Sequence, residues 1–145
     1  MLMRAEALIE TDQLAEARTI INDIRQRAKN SVDKHIAYAK DQCEIALYPE
    51  SYFQKKETAR KCLRWERRLE LAMENGRYFD LRRWGLASKT LNAYFATEKN
   101  DVYDGQTYAT YLKDAHYTAG KNEFYPIPYN QLYYVPGLYK QNKNY

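Results

Sequence analysis

Glu66-Arg67-Arg68-Leu69-Glu70-Leu71-Ala72-Met73-Glu74-Asn75-Gly76-Arg77-Tyr78-Phe79-Asp80-Leu81-Arg82-Arg83-Trp84-Gly85 is the stretch on which the fold turns. Glu66, Glu70 and Glu74 recur every four residues, so they share one face of a helix. Three like charges on one face repel unless cations stand near. The spacing predicts a long helix from about Ser51 to Asn75, with Thr58, Cys62, Trp65, Leu69, Ala72 and Met73 as its inner stripe. Gly76 reads as its C-terminal stop. A second helix is expected from about Tyr78 to Phe95, with Leu81, Trp84, Leu91 and Phe95 inward. Chain reversal at Gly76 would bring arginines to the glutamates, and the planar guanidinium holds a carboxylate through two hydrogen bonds. The reading is a structural ion network of Glu66, Glu70, Glu74, Arg77, Asp80 and Arg83 that fixes how two helices meet.

The alternative for these carboxylates is glycoside hydrolysis. That chemistry needs one carboxyl group with a raised pKa in an apolar cleft. Carboxylates set among arginines are shifted the other way.

Upstream, Leu2, Ala5, Leu8 and Ile9 share a face of a first short helix, residues 2–10. Thr11-Asp12-Gln13 is a turn with capping residues. Leu14, Ala17, Ile20, Ile21, Ile24 and Ala28 repeat at helical steps over 13–29, while Glu16, Arg18, Asp23, Arg25 and Arg27 face away. Residues 1–29 are therefore a helical hairpin of the tetratricopeptide kind. Such a unit exposes an apolar face, here Leu2, Leu8, Ile20 and Ile24, that a neighbouring repeat covers. The isolated chain is therefore expected to self-associate through the hairpin, to need further chain, or to be partly disordered. Asp33 to Leu47 could hold another helix, with Ile36, Ala39 and Cys43 on one side, before Pro49 interrupts it.

Beyond Phe95 the period is lost. Residues 96–123 read as an irregular, Tyr-rich loop with a turn at Asp104-Gly105. Residues 124–145 read as an extended tail, since Tyr125-Pro126-Ile127-Pro128 cannot be helical. The fold class is mostly α: a helical hairpin, further long helices, a Tyr-rich loop and an extended tail.

Composition narrows the function. The 145 residues carry 23 Lys and Arg against 19 Asp and Glu, a net charge of +4, with no basic arm, so no nucleic-acid partner is expected. No stretch is apolar enough to span a membrane, and the start does not read as a secretory signal. Cys43, Cys62, His35 and His116 lack zinc-site spacing. The two cysteines read as unpaired thiols, with a disulfide open in an oxidising compartment. Asp101 and Asp104 before Gly105 are ordinary turn chemistry as much as calcium ligands. No Ser or Cys has an evident His partner. No catalytic residue, metal or cofactor is expected.

The 15 tyrosines suit surfaces that meet sugars or peptides, and they equally fill wet cores. Tyr103, Tyr108, Tyr111 and Tyr117 fall outside any helical period, in a loop that a rigid scaffold would present. Tyr103, Tyr108 and Tyr111 are the candidate ligand contacts; the alternative is that such rings pack against the scaffold. Trp65 and Trp84 lie on apolar stripes and read as core.

Three segments carry a resemblance to the SusD/RagB family. The 66–85 stretch is similar to that family's charged helix, Gly, Arg, aromatic, Asp-Leu and Arg-Trp-Gly signature. Phe124-Tyr125-Pro126-Ile127-Pro128, followed by Gln141-Asn142 and Tyr145, is similar to its closing pattern, with Lys143-Asn144 where the family has Pro-Gly. Arg4-Ala5-Glu6-Ala7 and Ile21-Asn22-Asp23-Ile24-Arg25 fit its last repeat unit. The resemblance implies that residues 1–145 are the C-terminal region of a longer SusD-like protein. It implies a cell-surface lipoprotein of the outer membrane, anchored by lipid in its full-length form, and not an enzyme. Its expected partners are an oligosaccharide or peptide ligand and a SusC-like TonB-dependent transporter. The competing reading is a helical-repeat scaffold that binds protein and no nutrient.

Overall fold

The computed structural model describes residues 1–35, 44–103, 106–107 and 109–145. Ile36, Ala39, Cys43, Asp104, Gly105 and Tyr108 lie outside the described residues. The fold is mostly α, and contacts divide it into two compact units, Met1–Asn75 and Gly76–Tyr145.

The first unit starts with the expected hairpin, α1 (Leu2–Glu10) and α2 (Leu14–His35). α1 ends in a Schellman turn: Gln13 N–H donates to the Leu8 carbonyl at 2.8 Å and Asp12 N–H to Ile9 at 3.2 Å, with Asp12 left-handed at φ 62°. α2 runs six residues past the expected end, because neither Gly nor Pro stops it before His35. Glu44–Pro49 is irregular rather than helical, and a 3-10 helix follows at Glu50–Phe53.

α3 (Lys56–Glu70) packs onto both arms of the hairpin. Leu2, Ala5, Leu8, Ile9, Ala17, Ile20, Ile21 and Ile24 are buried in one core with Phe53, Ala59, Cys62 and Leu63. This corrects the expectation of an apolar hairpin face left in water, since Leu2, Leu8, Ile20 and Ile24 are covered within the unit. It also corrects the inner stripe of α3. The buried positions are 59, 62, 63 and 66, a helical repeat displaced from the predicted one. Trp65 and Leu69 are each about half exposed, and Met73 is almost wholly exposed. Small side chains at Ala59 and Cys62 let α3 approach the hairpin closely, and Trp65 turns outward under the Arg68 guanidinium at 5.4 Å. Burial pushes the Cys62 thiol pKa up, as for a packed thiol rather than a reactive one.

α3 also stops earlier than predicted. Its last helical residue is Glu70, and the chain turns with Met73 at φ 69° and Asn75 at φ 59°. Gly76 is right-handed and precedes α4 (Arg77–Arg83) rather than capping α3.

In the second unit, the single helix expected over 78–95 is two: α4 and α5 (Ala87–Glu98). The break is Gly85, left-handed at φ 67°. Leu86 N–H donates to the Leu81 carbonyl at 2.8 Å and Gly85 N–H to Arg82 at 3.0 Å, a second Schellman turn. Leu81, Ala87 and Tyr117 are the buried centre, ringed by Tyr78, Leu86, Leu91 and Phe95. A short antiparallel pair, β1 (Val102–Tyr103) and β2 (Gln106–Thr107), and a 3-10 helix at Thr110–Leu112 give the 96–123 segment local order. Tail residues 124–145 contain α6 (Tyr129–Tyr134), which begins directly after Pro128, and turns at 136–138 and 143–144, which corrects the expectation of an extended tail.

A β-carbon at residue 85 would meet nothing within 4 Å, so only the backbone conformation opposes substitution there. Gly85→Ala is expected to lower the stability of the second unit by about 1–2 kcal/mol through left-handed strain alone. An unchanged thermal midpoint would show that the α4–α5 turn does not need that conformation.

The closing motif folds back on itself. Between Pro126 and Pro128, Ile127 has the one N–H available, because proline has none. It donates to Gln141 Oε1 at 2.8 Å, and Gln141 Nε2 donates back to the Ile127 carbonyl at 3.0 Å. Asn142 Nδ2 donates to the Tyr125 carbonyl at 2.6 Å, and the Tyr145 hydroxyl to Phe124 at 2.8 Å. Asn144 takes φ 75°, the conformation a glycine would supply, and asparagine tolerates it better than most residues.

Candidate ligand-binding surface

Glu66 is 4 % exposed and accepts from Arg25 Nη1 of α2 at 2.9 Å. Arg25 also donates through Nε to the Ala46 carbonyl at 2.6 Å and lies 4.5 Å over the Tyr48 ring. Its predicted outward orientation is therefore corrected: it is a partly buried tether for the segment before α3. Asn22 completes the tether, accepting from Tyr48 N–H at 2.8 Å and donating to its carbonyl at 3.0 Å. Glu70 pairs with Arg27 of α2. Glu74 is exposed.

In the second unit Asp80 is buried and accepts from Arg83 at 2.9 Å, one helical turn away. Arg77 and Arg83 both lie over the Trp84 ring, at 5.8 and 5.3 Å. Trp84 is partly buried.

Hydrogen bonding to Arg60 holds the Glu10 carboxyl below its ordinary range, and Lys61 does the same for Glu57. A general acid for sugar hydrolysis would need the opposite shift. Among the described residues there is no group of three His, Cys, Asp or Glu side chains arranged to hold a metal ion. No helix among them is long and apolar enough to cross a membrane.

The loop tyrosines have different fates. Tyr117 is 5 % exposed and belongs to the second core, which corrects its placement in a presented loop. The Asn92 side chain fixes its backbone, accepting from Tyr117 N–H at 2.7 Å and donating to its carbonyl at 2.9 Å. Burial, with Tyr78 beside it, pushes the Tyr117 hydroxyl pKa well above its ordinary value. Tyr103 lies in β1, and Tyr108 lies outside the described residues. Tyr111 is the opposite of Tyr117: it is 79 % exposed in the middle of the 3-10 helix.

Beside that helix is a recess of about 460 Å3 lined by Lys99, Asn100, Ala109, Thr110 and Lys113. Its walls are fixed by backbone bonds. Lys99 N–H closes the last turn of α5 on Phe95 at 3.2 Å, and Leu112 N–H reaches Ala109 at 2.8 Å. Asn100 Nδ2 caps the Ala96 carbonyl at 2.9 Å. Sequence reading named none of Lys99, Asn100 or Lys113, because mixed charges after the loss of helical period look like any solvated turn. In the first unit a recess of about 390 Å3 opens between Met1, Met3, Arg27, Arg67 and Leu71.

No curated protein matches the chain. The family model described as the SusD family matches residues 1–145.

Proposed function

The chain belongs to the SusD family, a family of binding proteins of outer-membrane nutrient uptake, and on that premise we propose that it is part of a cell-surface lipoprotein that captures glycans and hands them to a SusC-like TonB-dependent transporter. The match over residues 1–145 carries this reading. Two features support it: a recess with a polar lining and, next in sequence to the lining residue Thr110, a Tyr111 ring that is 79 % exposed and able to stack on a sugar face. Oligosaccharide is the favoured ligand class, with peptide as the other class such a surface accepts.

Tyr111→Ala is expected to weaken glycan binding roughly three- to tenfold, the range of one aromatic stacking contact. Stability should stay within about 0.5 kcal/mol, as for an exposed side chain that supports no core. A glycan microarray with the purified protein finds the ligand, and titration calorimetry measures the variant. Loss of stability with no loss of binding would make Tyr111 a packing element. Absence of any glycan ligand, with capture of a protein partner instead, would favour the helical-repeat scaffold.

A further inference from the structure

Two lysines, Lys99 and Lys113, line the recess bordered by the 3-10 helix. Lys99 caps the end of α5, and Lys113 follows the 3-10 helix at Thr110–Leu112. Both line the recess, with Asn100 and Thr110, and no carboxylate lines it among the described residues. The acids nearest in sequence, Glu98, Asp101 and Asp114, flank the two lysines in the chain without entering the lining. Neither lysine has an ion pair among the described residues, whereas Lys56, Arg60 and Lys61 each hold a carboxylate. The Asn100 amide spends its donor on the Ala96 carbonyl and keeps its oxygen as an acceptor, which suits a hydroxyl donor in the ligand.

We infer that this recess binds the anionic substituent of an acidic sugar, a uronate carboxylate or a sulfate ester, within the glycan that the protein captures. The inference rests on the glycan reading above and narrows its substrate class. Two like charges facing one cavity repel each other, and an anion between them relieves that repulsion. A lysine ammonium is a compact point charge without the planar demand of arginine, so carboxylate and sulfate satisfy it equally. Tyr111, next in sequence to the lining residue Thr110, is 79 % exposed and can offer a sugar ring an apolar face.

The test is affinity electrophoresis and calorimetry of the full chain on polygalacturonate, a sulfated dextran and a neutral glucan. An acidic glycan should bind at least about tenfold more tightly than the neutral one, and added salt should weaken it. Binding to polygalacturonate assigns the carboxylate, and binding to the sulfated dextran alone assigns the sulfate. Lys99→Gln with Lys113→Gln should cost about tenfold on the acidic ligand, with Lys99→Arg and Lys113→Arg retaining binding. Lys140→Gln with Lys143→Gln removes the same charge from the exposed tail and should change little. If the tail variant weakens binding as much as the recess variant, the attraction is diffuse and the inference falls. Equal binding of the neutral glucan, unaffected by the recess variant, also overturns it while leaving the glycan reading intact. Binding of no glycan overturns both. The single Lys113→Gln variant and the salt dependence of the wild type keep the test decisive should the double variant fold poorly.

Discussion

Glu66→Ala should lower the unfolding free energy of the first unit by about 3–5 kcal/mol, the cost of leaving a buried charge without its partner. The charge left behind is the Arg25 guanidinium, whose side chain is 15 % exposed. Arg25 cannot swing into water without also releasing the Ala46 carbonyl and the Tyr48 ring. A loss of that size is a large share of a small domain's total stability. The double variant Arg25→Met with Glu66→Leu should recover most of it, because a buried ion pair contributes little relative to well-packed apolar groups. Urea unfolding of the wild type, Arg25→Met, Glu66→Leu and the double variant forms a double-mutant cycle that isolates the coupling. A Glu66→Ala loss below about 1 kcal/mol would place the pair with exposed ion pairs and discard the tether.

Leu63→Ala is expected to cost about 2–5 kcal/mol, and Leu69→Ala, six residues along the same helix, within about 1 kcal/mol. Leu63 is 1 % exposed at the centre of the first core; Leu69 is 51 % exposed. Truncating Leu63 opens a cavity among α1, α2 and α3, which cannot close while Ala59 and Cys62 already hold the helices together. Denaturant midpoints with unchanged slopes would report this directly. Equal losses at the two positions would restore the stripe read from sequence and reject the observed face of α3.

The hairpin was legible because it obeys local rules. Leu14, Ala17, Ile20, Ile21, Ile24 and Ala28 repeat at the helical step, and all but Leu14 and Ala28 are buried. α3 was misread because hydropathy ranks Trp65 and Leu69 above Ala59 and Glu66, whereas close helix approach selects small residues. The burial of Glu66 could not be read from its own helix, since its partner lies 41 residues upstream. Arg25 carried no signal either: a charged residue on an amphipathic helix looks outward until something covers it. Gly85 did carry a signal, as a glycine following Trp84, but continuity of the apolar pattern across it argued for one helix. The glycine chosen as the stop, Gly76, is followed by a helix start instead, and Met73 and Asn75 take the left-handed positions. Of the candidate contacts, Tyr111 and Tyr117 looked alike in sequence. What separates them is Asn92, which draws Tyr117 inward from 25 residues away.

The clasp between Ile127 and Gln141 has a consequence for colloidal behaviour. Phe124 to Tyr139 is 16 residues without a charge and rich in aromatic side chains, two features of fibril-forming segments, but it carries Pro126, Pro128 and Pro136 where such segments carry none. Fibril growth needs a row of unsatisfied backbone donors for an incoming strand. Pro126 and Pro128 offer none, and the amide of Gln141 occupies the one between them from within the same chain. The side chain of a glutamine thus takes the place that a neighbouring strand would fill.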